Sequence, residues 1–135
     1  MEPLERLQAK IANFPGYDGD FERRRSDEYV RSYLGEALAE LASRGVLSDA
    51  QQARVDDLLV RVGFADPRAF AVHHVIAGAA SNDGGAVAVS DVATVELADR
   101  AASLDSVAAA SYLDEVVAVL DERETAIRAA SLKMT

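Results

Sequence analysis

The chain has no cysteine, so disulfides, thiolate nucleophiles and cysteine-held metal ions are excluded together. Only two histidines occur, His73 and His74. Adjacent residues on a helix point about 100° apart, so this pair cannot share one metal there. The i, i+4 spacing that a helical metal pair needs is missing too, since no His-x-x-x-His or Glu-x-x-His occurs. No Gly-x-Ser-x-Gly elbow, Walker loop or dinucleotide fingerprint is present, which removes the usual sequence support for hydrolase and nucleotide chemistry. No cofactor and no metal is expected.

Long apolar runs are absent as well. The longest charge-free stretch in the hydrophobic part of the chain, residues 69–82, has 14 residues and contains both histidines. A spanning helix needs roughly 20 apolar residues, so no membrane segment is expected. The start, Met1-Glu2-Pro3-Leu4-Glu5-Arg6, places acids where a secretory signal carries basic residues, and the expected location is the cytoplasm.

Positive charge is scarce. Fourteen basic residues face 23 acidic ones, for a net charge of −9. Residues 90–124 hold nine acids against only Arg100 and Arg123. Such a surface repels phosphate backbones, so nucleic acid is not an expected partner, whereas a basic partner would be drawn to segment 90–124.

What the chain has in abundance is alanine, 26 of 135 residues. Alanine is the best helix former and offers little area to bury, which points to closely packed helices. The expected fold is all-α: a compact single-domain bundle of five to six helices with short connections, spanning about 3–13, 21–44, 49–62, 67–79, 91–103 and 106–130. Two boundaries share one logic. Arg44-Gly45-Val46-Leu47-Ser48 and Val62-Gly63-Phe64-Ala65-Asp66 each offer a glycine beyond a helix end, a hydrophobic residue after it, and an N-capping Ser or Asp. Ser48 with Gln51 completes a capping-box pattern, and Asp66 precedes Pro67 at a first helical position. Apolar stripes at the 3.6-residue period run through Val30, Leu34, Leu38 and Leu41, through Val55, Leu58 and Val62, and through Leu113, Val116, Leu120 and Ile127. Residues 70–89 are ambiguous. Their two short apolar runs flank a glycine-rich turn and suit a hairpin as well as a helix.

Seven of the twelve arginines follow an acid by four residues: Arg6, Arg24, Arg31, Arg44, Arg61, Arg100 and Arg128. That spacing supports single helices, so most arginine reads as helix scaffolding, and Arg23-Arg24-Arg25 reads as a neutralised helix start. The pairs Asp56-Asp57, Asp114-Glu115 and Asp121-Glu122 sit between stripe positions, as a solvated face should.

Five of the eight aromatics fall within residues 14–33. The candidate interaction residues are Phe14, Tyr17, Phe21, Arg24, Arg25, Tyr29 and Tyr33, because aromatics and arginine dominate interface hot spots. The same segment can instead pin the first short helix onto the bundle through a Pro15-Gly16 turn. The expected function is a non-enzymatic protein-interaction module or accessory subunit, with self-association among its modes. The alternative is a small-molecule-binding bundle or minor enzyme with His73 or His74 in an inter-helix pocket.

Overall fold

A computed structural model gives the fold and describes residues 1–65 and 84–132. Among these residues there are five α-helices and no strand. They are α1 (Pro3–Lys10), α2 (Asp20–Ser43), α3 (Asp49–Val62), α4 (Gly85–Arg100) and α5 (Ser106–Leu132), with a 3₁₀ turn at Ala101–Ser103. The architecture is the all-α bundle that the composition predicts. The helix expected over 67–79, His73 and His74 lie outside the described residues.

Cap chemistry sets the α2–α3 corner. Gly45 takes φ +73°, the left-handed conformation that glycine adopts without a Cβ penalty. Three residues on, the Ser48 hydroxyl accepts from the Gln51 amide at 3.2 Å while the Gln51 side chain accepts from the Ser48 amide at 2.9 Å. Asp105 caps α5 by accepting from the Ala108 amide at 2.9 Å.

At the second boundary α3 ends at Val62, as expected, but Gly63 stays right-handed at φ −70° and Phe64 is 74% exposed, while Asp66 and Pro67 lie outside the described residues. A second correction concerns residues 86–89, weighed as a strand. They are the first turn of α4, which begins at Gly85, six residues before the expected start. Gly84 explains the early start. It turns the chain at φ +89°, and a Cβ there would lie 2.5 Å from the Tyr17 ring and 2.7 Å from the Ala88 Cβ. Only a residue without Cβ lets α4 begin against Tyr17.

Helix α4 is the hub, packing on α5, α2 and α1, while α3 bridges α2 and α5. Two apolar clusters result. One gathers Leu34, Leu38 and Leu41 of α2 with Val55 and Leu58 of α3, Leu97 of α4, and Leu113 and Val116 of α5. The other gathers Leu7, Ile11, Phe14 and Tyr17 with Val30, Ala88, Val92 and Val95. Each large side chain buried this way contributes roughly 1.5–3 kcal/mol, which isolated helices of this length need in order to persist.

Candidate functional site

The aromatic segment divides into an inner and an outer part. Phe14 and Tyr17 are 5% and 2% exposed and meet edge to face with centroids 5.8 Å apart. Phe14 also approaches the Tyr29 ring at 6.4 Å. These two residues therefore pin α1 to the bundle, and a partner cannot reach them in this conformation. Tyr29 and Tyr33 are half-buried at the edge of the same cluster.

The outer part is a ladder on α2. Phe21, Arg25 and Tyr29 follow at i, i+4 and i+8, so they stack along one side of the helix. The Arg25 guanidinium lies 5.8 Å from the Phe21 ring centroid and 5.7 Å from that of Tyr29. Phe21 is nevertheless 68% exposed, and among the described residues no carboxylate forms a salt bridge with Arg25. The arginine triplet thus splits three ways. Arg24 pairs with Asp20 at 3.1 Å, Arg25 stacks, and Arg23 has its Nε and Nη2 shielded from solvent without a hydrogen-bond partner among the described residues.

Further along α2, its flank forms a cleft of about 240 Å³ against α4 and the 3₁₀ turn. The floor is apolar, with Ala37, Leu41, Ala98 and Ala101, and the rim carries Glu36, Glu40 and Asp99. Tyr33 donates to Asp99 at 2.5 Å and Lys10 pairs with the same carboxylate at 2.9 Å. The bond to Asp99, with partial burial, pushes the Tyr33 hydroxyl up to about 12. Burial raises Asp99, but Lys10 and Tyr33 outweigh it and hold the carboxyl below its usual range. Arg44 closes one end by donating to the carbonyls of Ala101 (2.9 Å), Ala102 (2.6 Å) and Leu104. A second cleft, about 390 Å³, runs between α1 and α4 over Leu7, Val92 and Val95, with Arg6, Lys10 and Glu96 at its edge.

The largest departure from the sequence reading is a buried ionic network. Arg123 of α5 donates to Asp27 of α2 at 2.6 Å and to Asp91 of α4 at 2.7 Å. Tyr17 donates to the other Asp91 oxygen at 2.5 Å, and Arg31 joins Asp27 at 2.8 Å to the Val62 carbonyl at 3.1 Å. Arg123, Asp27 and Asp91 are 4%, 5% and 1% exposed. Burial disfavours the Arg123 cation, but its two carboxylates prevail and raise it above the ordinary arginine value. Complete burial pushes Asp91 up, against the pull of Arg123 and Tyr17. Both Asp91 oxygens accept, the arrangement of an ionised carboxylate. With two acids and two arginines the network is neutral, and its shape is that of a clamp joining three helices. The pattern did carry a signal: Asp27 and Arg123 fall in register with the stripes of Val30 and Leu34 and of Leu120 and Ile127, where a surface charge has no place.

Several other arginines also act between helices. Of the seven with an acid four residues upstream, Arg24, Arg31 and Arg128 pair with it. Arg6 instead reaches Glu96 (3.3 Å), Arg61 reaches Asp121 (2.7 Å) and Glu124 (3.0 Å), and Arg100 reaches Glu115 (2.8 Å). With Lys10 on Asp99 and Arg54 on Asp114, most of the acids in 90–124 meet bases of this same chain. The acidic segment is thus largely answered from within.

Among the described residues no helix is long and apolar enough to cross a membrane. Comparison with protein-family models, with curated proteins and with solved structures finds no match.

Proposed function

We propose that this protein is a protein-interaction module or accessory subunit whose contact surface is the outer face of α2, centred on Phe21 and Arg25. The observation that carries this is the exposed Phe21 ring with a guanidinium stacked on it. A large aromatic left in water beside an arginine that answers no carboxylate among the described residues combines the two side-chain types that dominate interface hot spots. The stacking also holds Arg25 in one place, so less freedom is lost when a partner docks. Arg24 and Tyr29 flank this centre, while Phe14 and Tyr17 support it from inside.

The test is affinity capture from the native host with wild type, Phe21→Asp and Val107→Asp. Val107 is 89% exposed at the start of α5, so its variant controls for a new surface charge elsewhere. Phe21→Asp loses the captured protein and the control keeps it. Identical capture by all three proteins refutes the proposal.

The α1–α4 cleft supports a second reading, a binder of small apolar molecules, because its 390 Å³ volume lies within the range of ligand pockets. A specific ligand would raise the melting temperature in a metabolite screen, and a Leu7→Trp substitution filling the cleft would abolish that shift.

A further inference from the structure

The cleft between α2 and α4 is apolar below and negative above. Its floor is Ala37, Leu41, Ala98 and Ala101, and on the α2 side Glu36 and Glu40 stand at its rim one turn apart. Both glutamates are exposed, and among the described residues neither forms a salt bridge. The other charges around the cleft are already met. Asp99 holds Lys10 at 2.9 Å and accepts from Tyr33 at 2.5 Å, while Arg44 donates to the carbonyls of Ala101 and Ala102 at 2.9 and 2.6 Å. What stays open is a pair of carboxylates above a small apolar bed, and a volume of about 240 Å³ admits one side chain rather than a helix.

Elsewhere in the molecule a pair of this kind is met by arginine. Asp121 and Glu124 stand about one turn apart on α5, and Arg61 crosses from α3 to reach both, at 2.7 and 3.0 Å. Glu36 and Glu40 repeat that arrangement on α2, with no base among the described residues to fill it. We infer that the cleft between α2 and α4 receives the side chain of an arginine presented by a protein partner. Its methylene stem lies on the alanine floor, as long basic side chains cover apolar surface while their heads stay wet. Its guanidinium spans Glu36 and Glu40, which at i, i+4 are neighbours about 5–6 Å apart. Arginine suits the site better than lysine, because its planar fork serves two carboxylates at once and sheds water more readily than an ammonium does. Arg44 sets the direction of entry: its cation, fixed on the carbonyls of the 3₁₀ turn, keeps the incoming charge toward the Glu36 end. A basic partner is thereby addressed to α2, whereas most of the acids in 90–124 are answered from within. The site lies about four turns along α2 from Phe21 and does not depend on that surface.

The test titrates the full chain, followed by amide NMR at about 20 mM salt, where exposed charges are little screened. The probe is a capped alanine pentapeptide with a central arginine, set against its lysine and citrulline counterparts. The arginine peptide is expected to shift the amides of residues 33–44 and 98–102 and to saturate with a Kd of about 1–10 mM, the scale of one charge-assisted side-chain contact. The lysine peptide binds about threefold or more weakly, and the neutral citrulline peptide about tenfold or more weakly. Glu36→Gln with Glu40→Gln raises the Kd about tenfold or more. Asp56→Asn with Asp57→Asn removes as much charge from the exposed face of α3 and leaves the Kd about unchanged. All four positions face solvent, so the substitutions leave the core alone, and circular dichroism confirms the fold. Shifts that fail to saturate by about 50 mM peptide or that centre on another face overturn the inference. So do equal affinities for arginine and lysine, or an α3 variant weakened as much as the α2 variant, since charge alone is then being read. Phe21→Asp binds the peptide like wild type, so a failure here leaves the Phe21 surface to be judged by its own capture experiment.

Discussion

Replacing Arg123 by leucine tests the ionic clamp directly. Among the described residues the guanidinium is the group that joins Asp27 to Asp91, at 2.6 and 2.7 Å. Leucine fills much of the space but leaves both carboxylates buried. Asp27 keeps Arg31, whereas Asp91 keeps only the Tyr17 hydroxyl. Removing one member of a buried pair costs about 3–5 kcal/mol. A chain of 135 residues has a stability of roughly 7–20 kcal/mol, so the variant still folds, and its melting temperature falls by about 10–18 °C at some 3.5 °C per kcal/mol. The pH dependence distinguishes lost charge pairing from lost packing. Without Arg123 the Asp91 carboxyl rises further, so its folded value lies well above its unfolded one. An acid raised in this way has its stabilising contribution in full below the unfolded value, and loses it as pH rises through the folded value. The deficit should therefore be largest near neutrality and shrink as pH falls from there toward the unfolded carboxylate value near 4. Adding Asp91→Asn to Arg123→Leu removes the stranded anion and should recover roughly half of the loss, although Asp91→Asn alone is destabilising. Thermal and urea unfolding across that pH range measure all of this. A single variant within about 1 kcal/mol of wild type, or a deficit that grows on acidification, refutes the clamp.

Gly84→Ala must adopt φ +89° and place a Cβ 2.5 Å from the Tyr17 ring, so it should cost about 2–4 kcal/mol, read as a drop in the urea midpoint; an unchanged midpoint would mean that α4 does not need to start there. Tyr33 and Tyr112 are pushed up to about 12, by the bond to Asp99 and by burial respectively, and burial carries Tyr17 higher still. A tyrosine raised in the fold contributes stability in full below its unfolded value near 10 and loses it as pH rises through the folded value. Phenolate absorbance at about pH 11 should thus show these three still protonated in folded protein, followed by cooperative alkaline unfolding, and four tyrosines titrating together near 10 would contradict the burial described.

The helix ends were legible where the chemistry is local. Gly45, Ser48 and Gln51 act within one turn, and each takes the conformation or bond that its type predicts. At Gly63 the pattern placed the helix end correctly, but the glycine keeps a right-handed φ of −70° where Gly45 turns left-handed. The early start of α4 after Gly84 was not legible, because it depends on Tyr17, a contact invisible to any local window. The clustering of aromatics did mark the important segment, but spacing alone could not say which rings turn inward. Phe21 is separated from Tyr17 by four residues, and one ring is exposed while the other is buried, because α2 begins between them. Charge was misread most. A spacing of i, i+4 is satisfied equally by a pair on one helix and by two residues that each reach across to a neighbour, and tertiary packing chose the second for Arg6, Arg61 and Arg100.

That choice bears on how the outer face of α2 comes to be available. In a bundle rich in alanine the helices lie close, and each buried side chain contributes little area. The inter-helix arginines make up directionality that small side chains lack: α1 is tied to α4, α3 to α5, and α2 to α4 and α5 through Arg123. Each of these ties uses an acid from segment 90–124 or a buried one, and so draws the negative charge of α4 and α5 into the fold. On α2 itself, Arg25, Glu28, Glu36 and Glu40 form no salt bridge among the described residues, so this helix keeps charges that the fold does not use beside the exposed Phe21 ring, and such charges bias the orientation of whatever docks.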